Sequence, residues 1–170
     1  MRTASVLGAG SWGTAVSVHL ARVGHDVRLW GRDPALVTEM RSTRENPVYL
    51  EGVTLPETLK VTADLHEAVE GSDLVVSAVP SHGCRAVIRA AASFLTPAAT
   101  IVSTTKGLET STFQRMSEVI EEEVGPDQAV VVLSGPSFAA EVARQLPTAV
   151  LVASNSREAR EFVQAEFRSP

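Results

Sequence analysis

Four groups of residues have types and spacings that suit the handling of phosphates and hydroxyls. The first is Gly8-Ala9-Gly10-Ser11-Trp12-Gly13, three glycines in the order GxGxxG. It follows a short apolar run at 4–7 and opens into 14–23, whose apolar members Ala15, Val16, Leu20, Ala21 and Val23 recur at helical spacing. Strand, glycine turn and helix form the context in which this otherwise weak pattern carries meaning. Gly8 then allows the tight turn, Gly10 lets a pyrophosphate approach the backbone, and Gly13 lets the helix pack closely on the strand. Phosphates would sit at the helix N-terminus, where unpaired N–H groups and the positive end of the dipole favour anions. A dinucleotide site is expected; the plainer alternative is a βα turn without a ligand.

The second group ends the next apolar run, where Val27, Leu29 and Trp30 lead into Gly31-Arg32. An NAD-preferring site usually places an acidic residue here, roughly 20 residues beyond the glycine turn, to bind the adenine ribose hydroxyls. Gly31 and then Arg32 occupy that place. A missing carboxylate removes repulsion against a 2′-phosphate, and a guanidinium pairs with one in a fork. NADPH is therefore the expected cofactor. NADH use stays open through Asp33, whose other role is to cap the next helix with Pro34 in its first turn.

The third group is Lys106, reached from Ile101-Val102 through Ser103-Thr104-Thr105. The chain has 13 arginines and two lysines, Lys60 and Lys106. An ammonium suits a compact phosphate or hydroxyl as a point charge with three donors, so Lys106 is expected to act on a ligand rather than only on solvent. The fourth group, Ser134-Gly135-Pro136-Ser137-Phe138-Ala139, follows the apolar run at 129–133. Pro136 suits a first helical turn, with the N–H groups of Gly135, Ser137 and Phe138 facing an anion. Two helix N-termini and one lysine would then converge on one rim, the first for a dinucleotide and the second for a substrate phosphate.

Positioning these groups requires strands that end on a common rim. The pattern predicts one α/β domain over 1–170, a doubly wound, mostly parallel Rossmann sheet of about seven or eight strands with helices on both faces. Residues 60–62 form a third strand and 65–69 a short helix. Residues 74–79, ending at Pro80, read as a parallel strand covered on both faces and lying beside the first strand, so Val79, Pro80 and Ser81 border the crevice. Residues 46–56, punctuated by proline and glycine, are mostly loop, and Tyr49, the sole tyrosine, either packs beneath it or reaches the cofactor. A helix over 111–123 carries Phe113, Met116, Val119 and Ile120 on one face. A seventh strand runs over 148–153, and Asn155 or Ser156 caps a last helix. None of His19, His25, His66 and His82 reads as a catalyst, and Cys84 is expected to pack inside a helix.

Composition narrows the function classes. A net charge of -5 argues against general affinity for nucleic acid or an anionic membrane. The 44% hydrophobic and 21% charged content suits a globular chain, and no apolar run is long enough to span a bilayer. One cysteine allows no internal disulfide and fits a cytoplasmic setting, and no signal peptide or metal site is expected.

Gly8 to Ala15 (GAGSWGTA), Tyr49-Leu50, Val79-Pro80-Ser81, Thr105 to Glu109 (TKGLE), Ser134 to Val142 (SGPSFAAEV) and Leu146 to Ala149 (LPTA) together resemble bacterial NAD(P)-dependent glycerol-3-phosphate dehydrogenase. The resemblance follows the whole chain in order, and the Trp12 form of the turn with the SGPSFA run is far more specific than the glycines alone. It implies interconversion of sn-glycerol 3-phosphate and dihydroxyacetone phosphate, feeding glycerophospholipid synthesis. It further implies cofactor contacts at Ser11, Trp12, Arg32, Tyr49 and Ala139, a lysine at 106 that touches cofactor and substrate, and substrate contacts at Gly135 and Ser137. The family's proton acceptor lies in a second, helical domain that nothing in 1–170 matches. The expectation is therefore no catalytic base in this chain, NADPH binding with little activity alone, and an apolar face open to a homodimer. A related dehydrogenase of small hydroxy acids or polyol phosphates, and a non-catalytic redox sensor, are the alternatives.

Overall fold

A computed structural model describes residues 1–169. Seven strands form one sheet: β1 (Thr3–Leu7), β2 (Asp26–Trp30), β3 (Lys60–Thr62), β4 (Leu74–Ser77), β5 (Thr100–Ser103), β6 (Ala129–Ser134) and β7 (Leu151–Ala153). Their order is β3-β2-β1-β4-β5-β6-β7. The first six are mutually parallel, and β7 closes the edge antiparallel to β6, with Leu133 opposite Val152. The chain winds outward from β1 in one direction and resumes at β4 in the other, so the switch point lies between them.

Alternation along the central strands divides the core between two faces. Ala4 and Val6 of β1, Leu74 and Val76 of β4 and Val102 of β5 pack on one side, while Leu7, Val75 and Ile101 pack on the other. Helices α1 (Ser11–Arg22), α2 (Pro34–Thr43) and α7 (Arg157–Glu166) cover the first face through Val18, Leu20, Met40 and Val163. The second is covered by α3 (Leu65–Val69), α4 (Ser81–Ala92) and α5 (Met116–Val124), with Cys84, Ile88 and Ile120 fully buried. Each large side chain buried this way contributes about 1.5–3 kcal/mol. The short α6 (Ala139–Ala143) lies on α1, where Ala143 meets Ala15 and Leu50, and Arg22 Nη1 donates to the Ala143 carbonyl at 2.6 Å.

Caps end and begin these helices where the sequence places them. Asp33 accepts from the Ala35 amide at 2.9 Å with Pro34 first in α2, and Ser156 accepts from Ala159 at 3.1 Å to open α7. Three elements differ from expectation. The helix expected from 111 begins at Met116, and Phe113, at φ 59, is 78% exposed rather than on its packed face. The cause is a turn closed by Glu109 N to Gln114 O and Phe113 N to Glu109 O, with Leu108 bridging Arg115. The strand expected over 74–79 stops at Ser77: the Ala78 amide still donates to the Leu7 carbonyl at 2.9 Å, and the chain bends at Val79 toward the start of α4. The strand expected over 148–153 shrinks to Leu151–Ala153 at the sheet edge. Among the described residues no helix is long and apolar enough to cross a membrane.

Candidate functional site

The strand ends at the switch point open into a cleft of ≈ 830 Å³. That volume lies within the ordinary range for small-molecule sites, roughly 300–1,000 Å³. Its floor is the glycine turn. Gly8 holds φ +118, a conformation other residues rarely adopt, and its amide donates to the Trp30 carbonyl at 3.0 Å. Gly13 is buried where α1 crosses the turn, and a Cβ there would stand 1.9 Å from the Gly8 carbonyl oxygen. At Gly10 an added Cβ would meet nothing within 4 Å, so this is where the backbone lies open to the cleft. Ser11 and Trp12 follow at the N-terminus of α1 and line the cleft as well.

Gly31, Arg32 and Asp33 form one side of the cleft, beyond the end of β2. Gly31 is a matter of space: a Cβ would meet Val37 Cγ2 at 2.9 Å and the Ala9 Cβ at 3.1 Å. A side chain there would force Val37 or Ala9 to shift. Arg32 is exposed. Lys106, also exposed, lies beyond β5 on the opposite side of the switch point. Three inter-strand steps separate β2 from β5 in the sheet, about 14 Å. The two cations therefore flank the glycine turn from opposite sides.

Val79, Pro80, Ser81, His82 and Gly83 form another wall, where the N-terminus of the twelve-residue α4 meets the cleft. This is the second helix start at the site. The expected one, at Pro136, is displaced: α6 begins only at Ala139, because Phe138 is still extended at φ -115 and ψ 136. The chain is held out by β6, whose Ser134 pairs with Leu151, and by Gly135, where a Cβ would meet the Ala149 carbonyl oxygen at 2.8 Å. The Ser137 amide is not free for an anion, since it donates to the Gly135 carbonyl at 3.0 Å. Gly135 itself turns its carbonyl toward Lys106, whose ammonium donates at 3.5 Å. Of the twelve residues singled out from the sequence, Gly8, Gly10, Ser11, Trp12, Arg32, Tyr49, Pro80, Lys106, Ser137 and Ala139 line the cleft. Gly13 and Gly135 stand behind it.

Several positioning groups had no local signature. Thr104 Oγ1 donates to the Ser77 carbonyl at 2.7 Å and Thr105 Oγ1 to the Val79 carbonyl at 2.8 Å, stapling the Lys106 loop to the end of β4. Farther along that loop, Glu109 receives a two-pronged pair from Arg85 of α4, both bonds 2.8 Å, and a bond from Thr112. Arg85 also reaches Glu123 of α5 at 2.7 Å. The Arg85 guanidinium, with help from the Thr112 hydroxyl, holds the Glu109 carboxyl down at about 2, from an ordinary 4.5. A carboxyl lowered on folding stabilises the folded form above the unfolded value and loses that contribution as pH falls through the folded one. Wild type is thus expected to exceed Glu109→Gln in stability above about pH 4.5, with the difference fading toward pH 2 in urea unfolding. A pH-independent difference would remove the ion pair from the account.

Acid–base candidates among the described residues are few. His82 lines the cleft but is exposed, while His19 and His25 bond the Phe167 and Glu166 carbonyls at the end of α7. Among the described residues no group of His, Cys, Asp and Glu could hold a metal ion.

The model of the NAD-dependent glycerol-3-phosphate dehydrogenase N-terminus matches residues 3–160. The chain is 52% identical over 98% of its length to an NAD(P)+ glycerol-3-phosphate dehydrogenase of Moorella thermoacetica, covering 49% of that protein. It is 50% identical to the one of a Thermoanaerobacter species, covering 96% of this chain and 48% of the relative. A crystal structure of glycerol-3-phosphate dehydrogenase from Coxiella burnetii superposes with a TM-score of 0.92 at 37% identity, over 99% of this chain and 51% of that one. The chain thus spans about half the length of the curated relatives it matches. With the glycine turn, the parallel sheet and this match in agreement, the chain belongs to the NAD-dependent glycerol-3-phosphate dehydrogenase N-terminus family.

Proposed function

We propose that residues 1–170 act as the dinucleotide-binding domain of a glycerol-3-phosphate dehydrogenase, preferring NADPH and accepting NADH. One observation carries this: an open glycine turn at a helix N-terminus, flanked at the switch point by Arg32 on one side and Lys106 on the other. The cleft suits the cofactor on its own geometry, since Gly10 leaves room for a pyrophosphate and the tightly packed Gly31 carries no carboxylate to repel a 2′-phosphate. Arg32 takes the 2′-phosphate, the first turn of α1 the pyrophosphate, and Trp12, Tyr49, Pro80 and Ala139 the remaining surface. When bound, the nicotinamide supplies or accepts the hydride.

Lys106 and Ser137 would hold the three-carbon phosphate or its hydroxyl, with Gly135 fixing Lys106 through its carbonyl. Removing hydride from a secondary alcohol requires a base within hydrogen-bond reach of the hydroxyl. We assign Lys106 to positioning and no residue of 1–170 to proton transfer. The single cysteine, Cys84, buried in α4, is consistent with a cytoplasmic setting. The exposed Phe138, Leu146, Val150 and Leu151 support self-association, with a two-fold dimer its simplest closed form.

Titration of the chain with NADPH, followed by protein fluorescence, is expected to saturate, since Trp12 and Trp30 both line the cleft. NADPH oxidation with dihydroxyacetone phosphate is expected to stay at background. No saturable NADPH signal would overturn the cofactor assignment. Rapid turnover by these residues alone would overturn the placement of proton transfer elsewhere.

A further inference from the structure

Asn46 is fully buried, yet every polar atom of its side chain is used. Nδ2 donates to the Ala9 carbonyl at 3.0 Å and to Thr14 Oγ1 at 2.8 Å, while Oδ1 accepts from the Tyr49 amide at 3.0 Å. Its own carbonyl accepts from Leu50 N at 3.0 Å. One side chain thus ties together the glycine turn, the first turns of α1 and the loop that carries Tyr49.

The bond to Ala9 matters most. The Ala9–Gly10 peptide is trans, so its C=O and N–H point in opposite directions. Asn46 draws the carbonyl into the protein, and the Gly10 N–H is thereby turned the other way. Gly10 lines the cleft, and its amide has no acceptor among the described residues. A peptide plane beside a glycine is free to rotate unless something holds it. A free plane would present the carbonyl oxygen to an anion for part of the time.

We propose that Asn46 is a positioning residue that aims the Gly10 amide at the cofactor's pyrophosphate and suspends the Tyr49 loop from the same joint. This rests on the cofactor assignment above, and it names a residue with no contact to the ligand itself.

Two ligands separate this role from a merely structural one. NADPH carries both the pyrophosphate and the 2′-phosphate; adenosine 2′-monophosphate carries only the latter, within reach of Arg32. In the 170-residue chain, Asn46→Ser is expected to weaken NADPH about tenfold or more, the effect of losing one charge-assisted hydrogen bond. Adenosine 2′-monophosphate should bind within about twofold of wild type. Thr14→Val removes one of the two acceptors of Nδ2 and serves where Asn46→Ser does not fold; it should show the same selectivity at about threefold. Equal weakening of both ligands, or unchanged NADPH affinity, overturns the proposal. Wild type that binds neither ligand overturns the cofactor assignment and this proposal with it, whereas wild type that binds both while the variants match it overturns only the role of Asn46.

Discussion

Gly13→Ala is expected to lose fold stability and cofactor together, whereas Gly10→Ala is expected to lose only the cofactor. At Gly13 the new methyl would lie 1.9 Å from the Gly8 carbonyl oxygen and 3.2 Å from the Ala78 Cβ. Neither neighbour is a flexible side-chain end, so α1 must lift away from the turn. Overpacking of this kind costs about 3 kcal/mol or more, which in a domain of this size lowers Tm by roughly 6–12 °C. At Gly10 the backbone sits at φ -77 and ψ -177, which alanine adopts without strain, and the methyl meets nothing within 4 Å. Gly10→Ala should therefore melt within about 2 °C of wild type. Its methyl would occupy the place a pyrophosphate needs, and NADPH affinity should fall more than about tenfold. Thermal melts and fluorescence titrations of both variants measure this. A Gly13→Ala melt equal to wild type would contradict the close crossing of α1, and undiminished NADPH binding by Gly10→Ala would move the phosphates elsewhere.

The second large effect concerns cofactor choice. Arg32→Ala should weaken NADPH by about 10–100-fold while changing NADH by less than about twofold, because a guanidinium–phosphate pair is charge-assisted and only NADPH offers the phosphate. The neighbouring Gly31 offers no side chain of its own, and one added there would press on Val37 and Ala9. With an exposed arginine proposed to hold the 2′-phosphate, NADPH binding should weaken with added salt more steeply in wild type than in Arg32→Ala. Dissociation constants for both cofactors at two ionic strengths decide it. Equal NADPH affinity in wild type and variant would remove Arg32 from the site.

What the sequence made legible was what depends on near neighbours. Gly8 and Gly13 lie within one turn, and the tight turn and the close helix crossing they allow follow from strand and helix signals on either side. Asp33 capping α2 with Pro34 behind it is equally local, and the buried β1, β4 and β5 announce themselves as short apolar runs. What escaped depends on partners far along the chain. Asn46 finds its acceptors 37 and 32 residues away, and nothing in the loop around it marks the residue. Phe113 fits a helical stripe until Arg85, 24 residues before Glu109, fixes the turn that expels it. The start of α6 escaped because it is set by Ala149 pressing on Gly135 and by the antiparallel β7, whereas Pro136 alone argues for an earlier start.

The contact between α6 and α1 has a consequence for binding entropy. Ala139 opens α6 and Ser11 opens α1, both at the cleft, and the two helices rest on each other through the Ala15 and Ala143 methyls with Arg22 bonded across. Methyl-to-methyl packing leaves little slack, since neither side chain has a rotamer to change. The walls proposed for dinucleotide and for substrate phosphate are therefore one preorganised body. Their separation is settled when the chain folds rather than when a ligand arrives, so ordering losses on binding fall mainly on the ligands and on the long side chains of Arg32 and Lys106.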